Sequence, residues 1–230
     1  YKKILKNGND FGVKISYAIQ NKPNGIAESF IIGKKFIKKD NVCLILGDNV
    51  FHSPNIKSIF DKSYKNLLNN TASIVGKEVS NYKMYGVANL NKKNDLINII
   101  EKPKKKYSKI AITGLYFYPN DVIKKALSLN LSKRNELEIT DLNNIYIKEK
   151  KMKLYVLEKE SAWFDMGTHE SLLEASMYIA AIEKRQNQKI ACLEEVALFN
   201  NFISKNKFKK LLKKLPKSSY KDYLENLLVK

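Results

Sequence analysis

Asp48 follows a continuous apolar run, Val42-Cys43-Leu44-Ile45-Leu46, and one glycine. Such a run suits a strand buried on both faces. A carboxylate just past its carboxyl end lies where open α/β sheets bind ligands. There it can hold Mg²⁺, a hard ion that takes oxygen ligands and keeps substrate phosphates beside it. Read alone, Asp48 also suits a solvated turn. Asp165, within Ala162-Trp163-Phe164-Asp165-Met166-Gly167-Thr168, can be a second carboxylate at the same edge, or part of an aromatic turn ahead of a helix. In Asn98-Ile99-Ile100-Glu101-Lys102-Pro103, Glu101 can accept hydrogen bonds from sugar hydroxyls and Lys102 can neutralise a phosphate; both also suit a surface strand end. Of the 42 basic residues only Arg134 and Arg185 are Arg. A composition that replaces nearly every Arg yet keeps Arg134, beside Asn135–Asp141, points to bidentate phosphate geometry or to a solvated helix start. Gln20, at a strand end, can pair with the amide edge of a base, and Gly25 lets backbone approach a ligand closely; an ordinary strand-to-helix loop reads the same way.

These residues need elements to hold them. Ile15–Ile19 reads as a strand, Asn21–Gly25 as a loop and Ile26–Phe36 as a helix by its apolar spacing. Val42–Leu46 reads as a strand, Ile56–Leu68 as a helix and Ala72–Val79 as a strand. The alternation predicts an α/β, mostly parallel sheet with covering helices. The middle is richer in strand: Gly86–Leu90 and Leu96–Ile100 flank a polar turn, and Ala111–Tyr118 stops at Pro119, with Asn120 or Asp121 placed to cap the next helix. Glu136–Lys150 reads as a helix and Met152–Glu158 as a strand. Four helical stretches follow: Glu170–Arg185, Leu193–Ser204, Asn206–Leu215 and Tyr220–Leu228, with a break at Pro216. A Lys-rich helical tail predicts a boundary near residue 190, giving a core over 1–189 and a helical subdomain over 190–230.

Composition removes several function classes. With 230 residues, 44% apolar, 9 Gly and 5 Pro, the chain is neither collagen-like nor low-complexity. No apolar run reaches the ~18 residues of a membrane span, and the start, Tyr1-Lys2-Lys3-Ile4-Leu5-Lys6, does not read as a signal peptide. The net charge of +19 invites a nucleic-acid role, but Lys scattered over the chain makes a solvated surface rather than a specific reader. Cys43 and Cys192 form no framework and point to a reducing cytoplasm. His52 and His169 offer no zinc spacing, and no Ser-His-Asp or Cys-His arrangement stands out.

In order, Ile15–Ala27, Leu46–Asn49, Tyr85–Val87, Glu101–Pro103, Thr113–Tyr118, Glu136–Asp141, Ala162–Leu173 and Glu183–Glu195 resemble the sugar-phosphate nucleotidylyltransferases, and among them the thymidylyltransferases that act on glucose 1-phosphate. The resemblance runs over nearly the whole chain. It implies a Rossmann-like nucleotidyltransferase core with an inserted, sugar-binding β region and a helical C-terminal part. It also implies roles: Asp48 and Asp165 hold Mg²⁺; Gln20 reads thymine with Gly25 beside the base; Gly86, Glu101, Lys102 and Ile112 surround glucose 1-phosphate. Lys102 and Arg134 contact its phosphate, and Tyr116 and Trp163 line the pocket. The partners so implied are dTTP and glucose 1-phosphate, giving dTDP-glucose on the way to dTDP-rhamnose and polysaccharide. No specific nucleic acid and no membrane are expected, and a homo-oligomer, commonly a tetramer, is.

One departure bears on activity. The family's Gly-x-Gly-Thr-Arg loop and downstream Pro-Lys, which cradle the triphosphate, have no counterpart in this sequence; Gly8-Asn9-Asp10-Phe11-Gly12 does not replace them. With a first residue that is not Met, a truncated sequence, inactive by itself, is the expectation. Three other readings remain: a non-catalytic sugar-nucleotide binder, a polyanion-binding protein driven by charge, and a nucleotidylyltransferase for another base or sugar.

Overall fold

The computed structural model describes residues 1–228. The chain divides into two compact units, Ile19–Ser176 and a second made of Tyr1–Ala18 with the residues from Met177 onward.

The larger unit opens with α2 (Glu28–Ile32) and α3 (Lys34–Ile37), after a short α1 (Lys2–Leu5) that belongs to the other unit. The single helix expected over 26–36 is split at Gly33, where the missing side chain weakens helical continuity. There follow β1 (Val42–Ile45), β2 (Asn49–His52), α4 (Ile56–Leu68), β3 (Ala72–Glu78), β4 (Gly86–Leu90), β5 (Leu96–Glu101), β6 (Ile110–Tyr118), α5 (Val122–Leu127), α6 (Ile139–Lys148), β7 (Met152–Val156) and β8 (Ala162–Asp165). The helix α7 (His169–Gln186) runs across the division, and α8 (Leu193–Phe199), α9 (Lys205–Leu212) and α10 (Ser219–Asn226) complete the chain.

The α/β class stands, but the sheet is mixed rather than mostly parallel. Its order is β5-β4-β6-β3-β7, with β1 also on β6. β3 and β7 are parallel; every other pairing in that sheet is antiparallel. The reason is β6. β1, β3 and β7 share one direction, as the strand–helix alternation requires, and β6 runs against it between β1 and β3. Sequence order shows the alternation and hides the later strand that enters between.

Three more expectations change. Val42–Leu46 is not buried on both faces: Cys43 is exposed and Ile45 is 52% exposed, while Val42 and Leu44 face the core. Ile15–Ile19 forms no strand among the described residues, because no neighbouring strand supplies its ladder bonds; only Ile15 N reaches Asn7 O, at 2.9 Å. Asp121 occupies the N-cap position of α5 without a side-chain cap bond. Its carboxylate accepts instead from Tyr146 Oη at 2.5 Å.

The sheet carries apolar clusters on both faces. On one, Phe30, Tyr116, Tyr118, Leu142 and Tyr146 pack with α2, α5 and α6; on the other, Ile59 and Leu67 of α4 meet Val75, Leu115 and Phe117. Strand β6 is buried nearly throughout, which fits its central place. The smaller unit has its own core of Ala197, Leu198, Phe208, Leu212 and Leu224, with Phe11 against it. Lys207 Nζ also donates to Asn9 O there. The division between the units therefore falls inside α7 rather than near 190, since the helical tail recruits the first residues of the chain. Phe208 is fully buried, so Phe208→Ala is expected to cost ~3–5 kcal/mol. Urea unfolding followed by circular dichroism measures it; an unchanged midpoint would contradict this core.

Candidate active site

After β1 the chain turns through Leu46-Gly47-Asp48 into β2. Leu46 N bonds Gly114 O at 2.9 Å, which extends the β1–β6 ladder by one residue. β2 then leaves the large sheet and pairs antiparallel with β8, setting Asn49 opposite Asp165. Met166 N donates to Asp48 O at 2.8 Å. Asp48 and Asp165, far apart in sequence, thus stand on adjoining hydrogen-bonded segments. Their carboxylates feel each other: burial pushes the Asp165 carboxyl above its ordinary range, and the charge of Asp48 pushes it further.

Beside them opens a cleft, lined among others by Tyr85, Gly86, Glu101, Tyr116, Trp163 and Asp165. Its floor comes from β6, through Ile112, Thr113, Gly114 and Tyr116. Its far wall is the β4–β5 hairpin, where Gly86 faces Glu101 in register. Glu101 Oε2 accepts from Thr140 Oγ1 at 2.8 Å, at the start of α6. A Cβ on Gly86 would stand 3.1 Å from Glu101 Oε2 and 3.4 Å from Thr140 Oγ1, so glycine leaves room for that pair. Tyr85 packs on Trp163 with ring centroids 5.1 Å apart. Tyr116 is 4% exposed; burial pushes its hydroxyl well above the ordinary range, and Glu101, Asp165 and Asp48 add to the push. Three carboxylates therefore converge on the cleft of a chain that is strongly basic overall.

The fold brings together Asp48, Gly86, Glu101, Ile112, Tyr116, Trp163 and Asp165. Lys102 follows Glu101 with a left-handed φ of 43°, and its N donates to Tyr85 O at 3.0 Å. Arg134 does not present its guanidinium to an open phosphate site, as its residue type led one to expect. Its fork instead embraces Glu138, with Nε 3.1 Å from Oε1 and Nη2 2.7 Å from Oε2. Glu136 and Glu101 lie 3.6 and 3.9 Å away. Burial raises the Glu138 carboxyl, but hydrogen bonds from Arg134 and Ser132 outweigh it and leave it below its ordinary range. Gln20 and Gly25 sit in a loop beside these elements. Gln20 Nε2 donates to Gly25 O at 3.0 Å and to Glu28 Oε2 at 2.6 Å. Gly25 has φ +97°, and a Cβ there would stand 2.4 Å from Leu137 O. What demands glycine at this point is the Leu137 backbone, which bonds Asn24 O and Ala27 N at 2.7 and 3.2 Å. The helix expected from Glu136 starts at Ile139 for the same reason, since Leu137 is bonded to that loop and Glu138 after it is extended.

Sequence reasoning missed Asn49, Tyr85, Thr140 and Asn143 as cleft residues. Three of the four lie within or beside the motifs singled out above; Asn143 lies beyond them on α6, three residues after Thr140 and so on the same helical face.

The donor set suits a hard divalent cation. Among the described residues no group of three or more His, Cys, Asp or Glu could hold a metal. Two like-charged carboxylates held side by side favour a cation between them, and Mg²⁺ takes few protein ligands and completes its shell with water and substrate phosphate.

Residues 1–182 match the family described as nucleotidyl transferase. The chain belongs to that family. A glucose-1-phosphate thymidylyltransferase from Neisseria meningitidis is 41% identical over 232 residues, covering 100% of this chain and 79% of that protein. One from Mycolicibacterium smegmatis is 40% identical over 228 residues, covering 99% and 78%. Among solved structures, a Bacillus anthracis protein assigned as a glucose-1-phosphate thymidylyltransferase, in complex with a sucrose, aligns with TM-score 0.69 and 34% identity over 77% of this chain and 70% of its own. The apo structure of a UDP-glucose pyrophosphorylase aligns with TM-score 0.63 at 24% identity, over 74% of this chain and 64% of its own, a likeness of fold. The nucleotidyl transferase is thus an enzyme by family. None of its described helices is long and apolar enough to cross a membrane.

Proposed function

We propose that this nucleotidyl transferase makes dTDP-glucose, transferring a thymidylyl group from dTTP to glucose 1-phosphate with release of pyrophosphate. The observation that carries the reading is the cleft itself: a wall of Gly86 and Glu101 on one side and Asp165 on the other, with Asp48 on the chain segment hydrogen-bonded beside it. Glu101, oriented by Thr140, accepts a sugar hydroxyl; Ile112 and Tyr116 bound the ring; Trp163 closes one side. A phosphate oxygen of the sugar forms the new bond to the α-phosphorus, and the bond to pyrophosphate breaks. Asp48 and Asp165 would hold Mg²⁺, which would supply charge neutralisation at the phosphates. The rest is alignment of reactants, for which no covalent nucleophile is needed. Lys102 and, once its fork leaves Glu138, Arg134 take the sugar phosphate. In the same reading the enzyme is cytoplasmic and assembles as a homo-oligomer, a tetramer by resemblance.

Gln20 bears on base choice. With both Nε2 hydrogens directed to Gly25 O and Glu28, its Oε1 is left to accept. Thymine and uracil present an N3–H donor; cytosine and adenine do not. Calorimetric titration should therefore show dTDP-glucose binding that Gln20→Ala weakens by about 5–10-fold, the worth of one hydrogen bond. ADP-glucose should bind poorly to both. No binding of dTDP-glucose, or equal binding of ADP-glucose, sinks the reading. Because the sequence carries no Gly-x-Gly-Thr-Arg loop, we expect these 230 residues to bind without appreciable turnover. One preorganised cationic donor is worth roughly 3–4 kcal/mol of barrier, and several are missing. Pyrophosphate release at the rate of a full-length relative would refute that part alone.

A further inference from the structure

Asn49, the first residue of β2, has a side chain engaged through both its oxygen and its nitrogen. Its Oδ1 accepts from Trp163 Nε1 at 2.7 Å and from Gly114 N at 2.8 Å, and its Nδ2 donates to Asp48 Oδ1 at 2.9 Å. The carboxamide stands in for the ladder acceptor that β6 loses when the chain turns away after Leu46. Gly114 is built around it. A Cβ on Gly114 would stand 2.7 Å from both Cγ and Oδ1 of Asn49, and 2.8 Å from Leu46 Cβ. Its backbone φ is not in the left-handed region, so glycine there serves space alone.

We propose that Asn49 is a positioning residue whose carboxamide locks the Asp48 carboxylate to the Trp163 indole, coupling the cation edge of the cleft to its aromatic wall. The inference rests on the reading of Asp48 as a cation ligand. One planar amide makes all three bonds, so rotating it for one partner misaligns it for the others. A cation that draws on Asp48 changes the pull on Nδ2 and, through the same amide plane, the acceptor offered to the indole N–H. Coupling of this kind is reciprocal: what the cation does to Trp163, the state of Trp163 does to the cation. Groups behind a ligand that fix its rotamer have effects of this order in metal sites.

Trp163 is the only Trp of the chain, so its emission reports this contact without further labelling. The test uses the full chain, Asn49→Ser and Gly114→Ala, the second of which keeps the amide but displaces it. Circular dichroism confirms that each is folded, and calorimetry with MgCl₂ measures cation binding independently of emission. In the unsubstituted chain MgCl₂ should shift Trp163 emission. In both variants that shift should fall at least about threefold, and acrylamide should quench Trp163 about twofold more efficiently without any cation. Wild-type quenching and a wild-type Mg²⁺ response in Asn49→Ser overturn the proposal. So does an unshifted emission in a chain that calorimetry shows to bind Mg²⁺. If calorimetry finds no Mg²⁺ binding, the cation reading of Asp48 falls, while the acrylamide arm still decides whether Asn49 holds the indole. Should either variant fail to fold, Trp163→Phe, which removes the indole N–H, must weaken Mg²⁺ binding severalfold; an unchanged affinity overturns the coupling.

Discussion

Asp165→Asn is expected to weaken Mg²⁺-dependent binding of dTDP-glucose by roughly 10–100-fold or more, the range seen when supports of a metal site are removed, and at the same time to raise the thermal midpoint. The two effects share one cause. Burial and the neighbouring Asp48 charge both push the Asp165 carboxyl upward, so its ionised form is less favourable in the fold than in the unfolded chain. For such a group the stabilising contribution is fully present below the ordinary value of 3.8 and is lost as pH rises through the raised one. Asparagine never ionises and escapes that loss. The variant's advantage in midpoint should thus be present at neutral pH and shrink as pH falls toward that ordinary value. Differential scanning calorimetry across pH, with titrations in Mg²⁺ and in EDTA, reads both. A variant with reduced stability and undiminished Mg²⁺-dependent binding would remove the carboxylate pair from the site.

Gly25→Ala is expected to destabilise the protein by about 2–4 kcal/mol, from a left-handed φ that costs an L-residue ~1–2 kcal/mol and a clash of similar size. For a chain of this length that lowers the midpoint by roughly 2–4 °C per kcal/mol. The structural basis is specific: the new Cβ would stand 2.4 Å from Leu137 O and 2.6 Å from Leu137 N, and backbone cannot step aside as a flexible side chain can. Gln20→Ala, in the same loop but exposed, should leave the midpoint within about a degree while weakening nucleotide binding. A Gly25→Ala protein as stable as its parent, yet impaired in binding, would restore close approach of the base as the reason for glycine.

Much of the fold was legible because its signals are local. The helix read over Ile56–Leu68 and the hairpin read over Gly86–Leu90 and Leu96–Ile100 stand where spacing placed them, within a residue. Three-to-four spacing and two-residue alternation are properties of a chain segment. Ile15–Ile19 had the residues of a strand but no strand partner among the described residues, and pairing is not a property of the segment. The β2–β8 ladder escaped notice for the converse reason. Asn49–His52 and Ala162–Asp165 are ordinary short stretches, and they become strands by meeting.

The site divides the same way. Asp48 and Asp165 declared themselves as acids at chain reversals, and Glu101 as an acid at a strand end, because residue type and element end are both written in order along the chain. Which partner each side chain takes was left to the tertiary structure. Arg134 has a fork that fits phosphate or carboxylate equally, and the carboxylate of Glu138, four residues on and just ahead of α6, lies within its reach. Asn49 reaches an indole 114 positions away that no spacing could have announced. The sequence by itself determined the long helices, the central strands and the family to which the chain belongs. The insertion of β6 between two like-directed strands, the backbone that demands Gly25 and the amide that joins Asp48 to Trp163 were decided only in three dimensions. Hydrogen bonds are short and directional, and loop closure brings together groups whose separation along the chain says nothing of their distance.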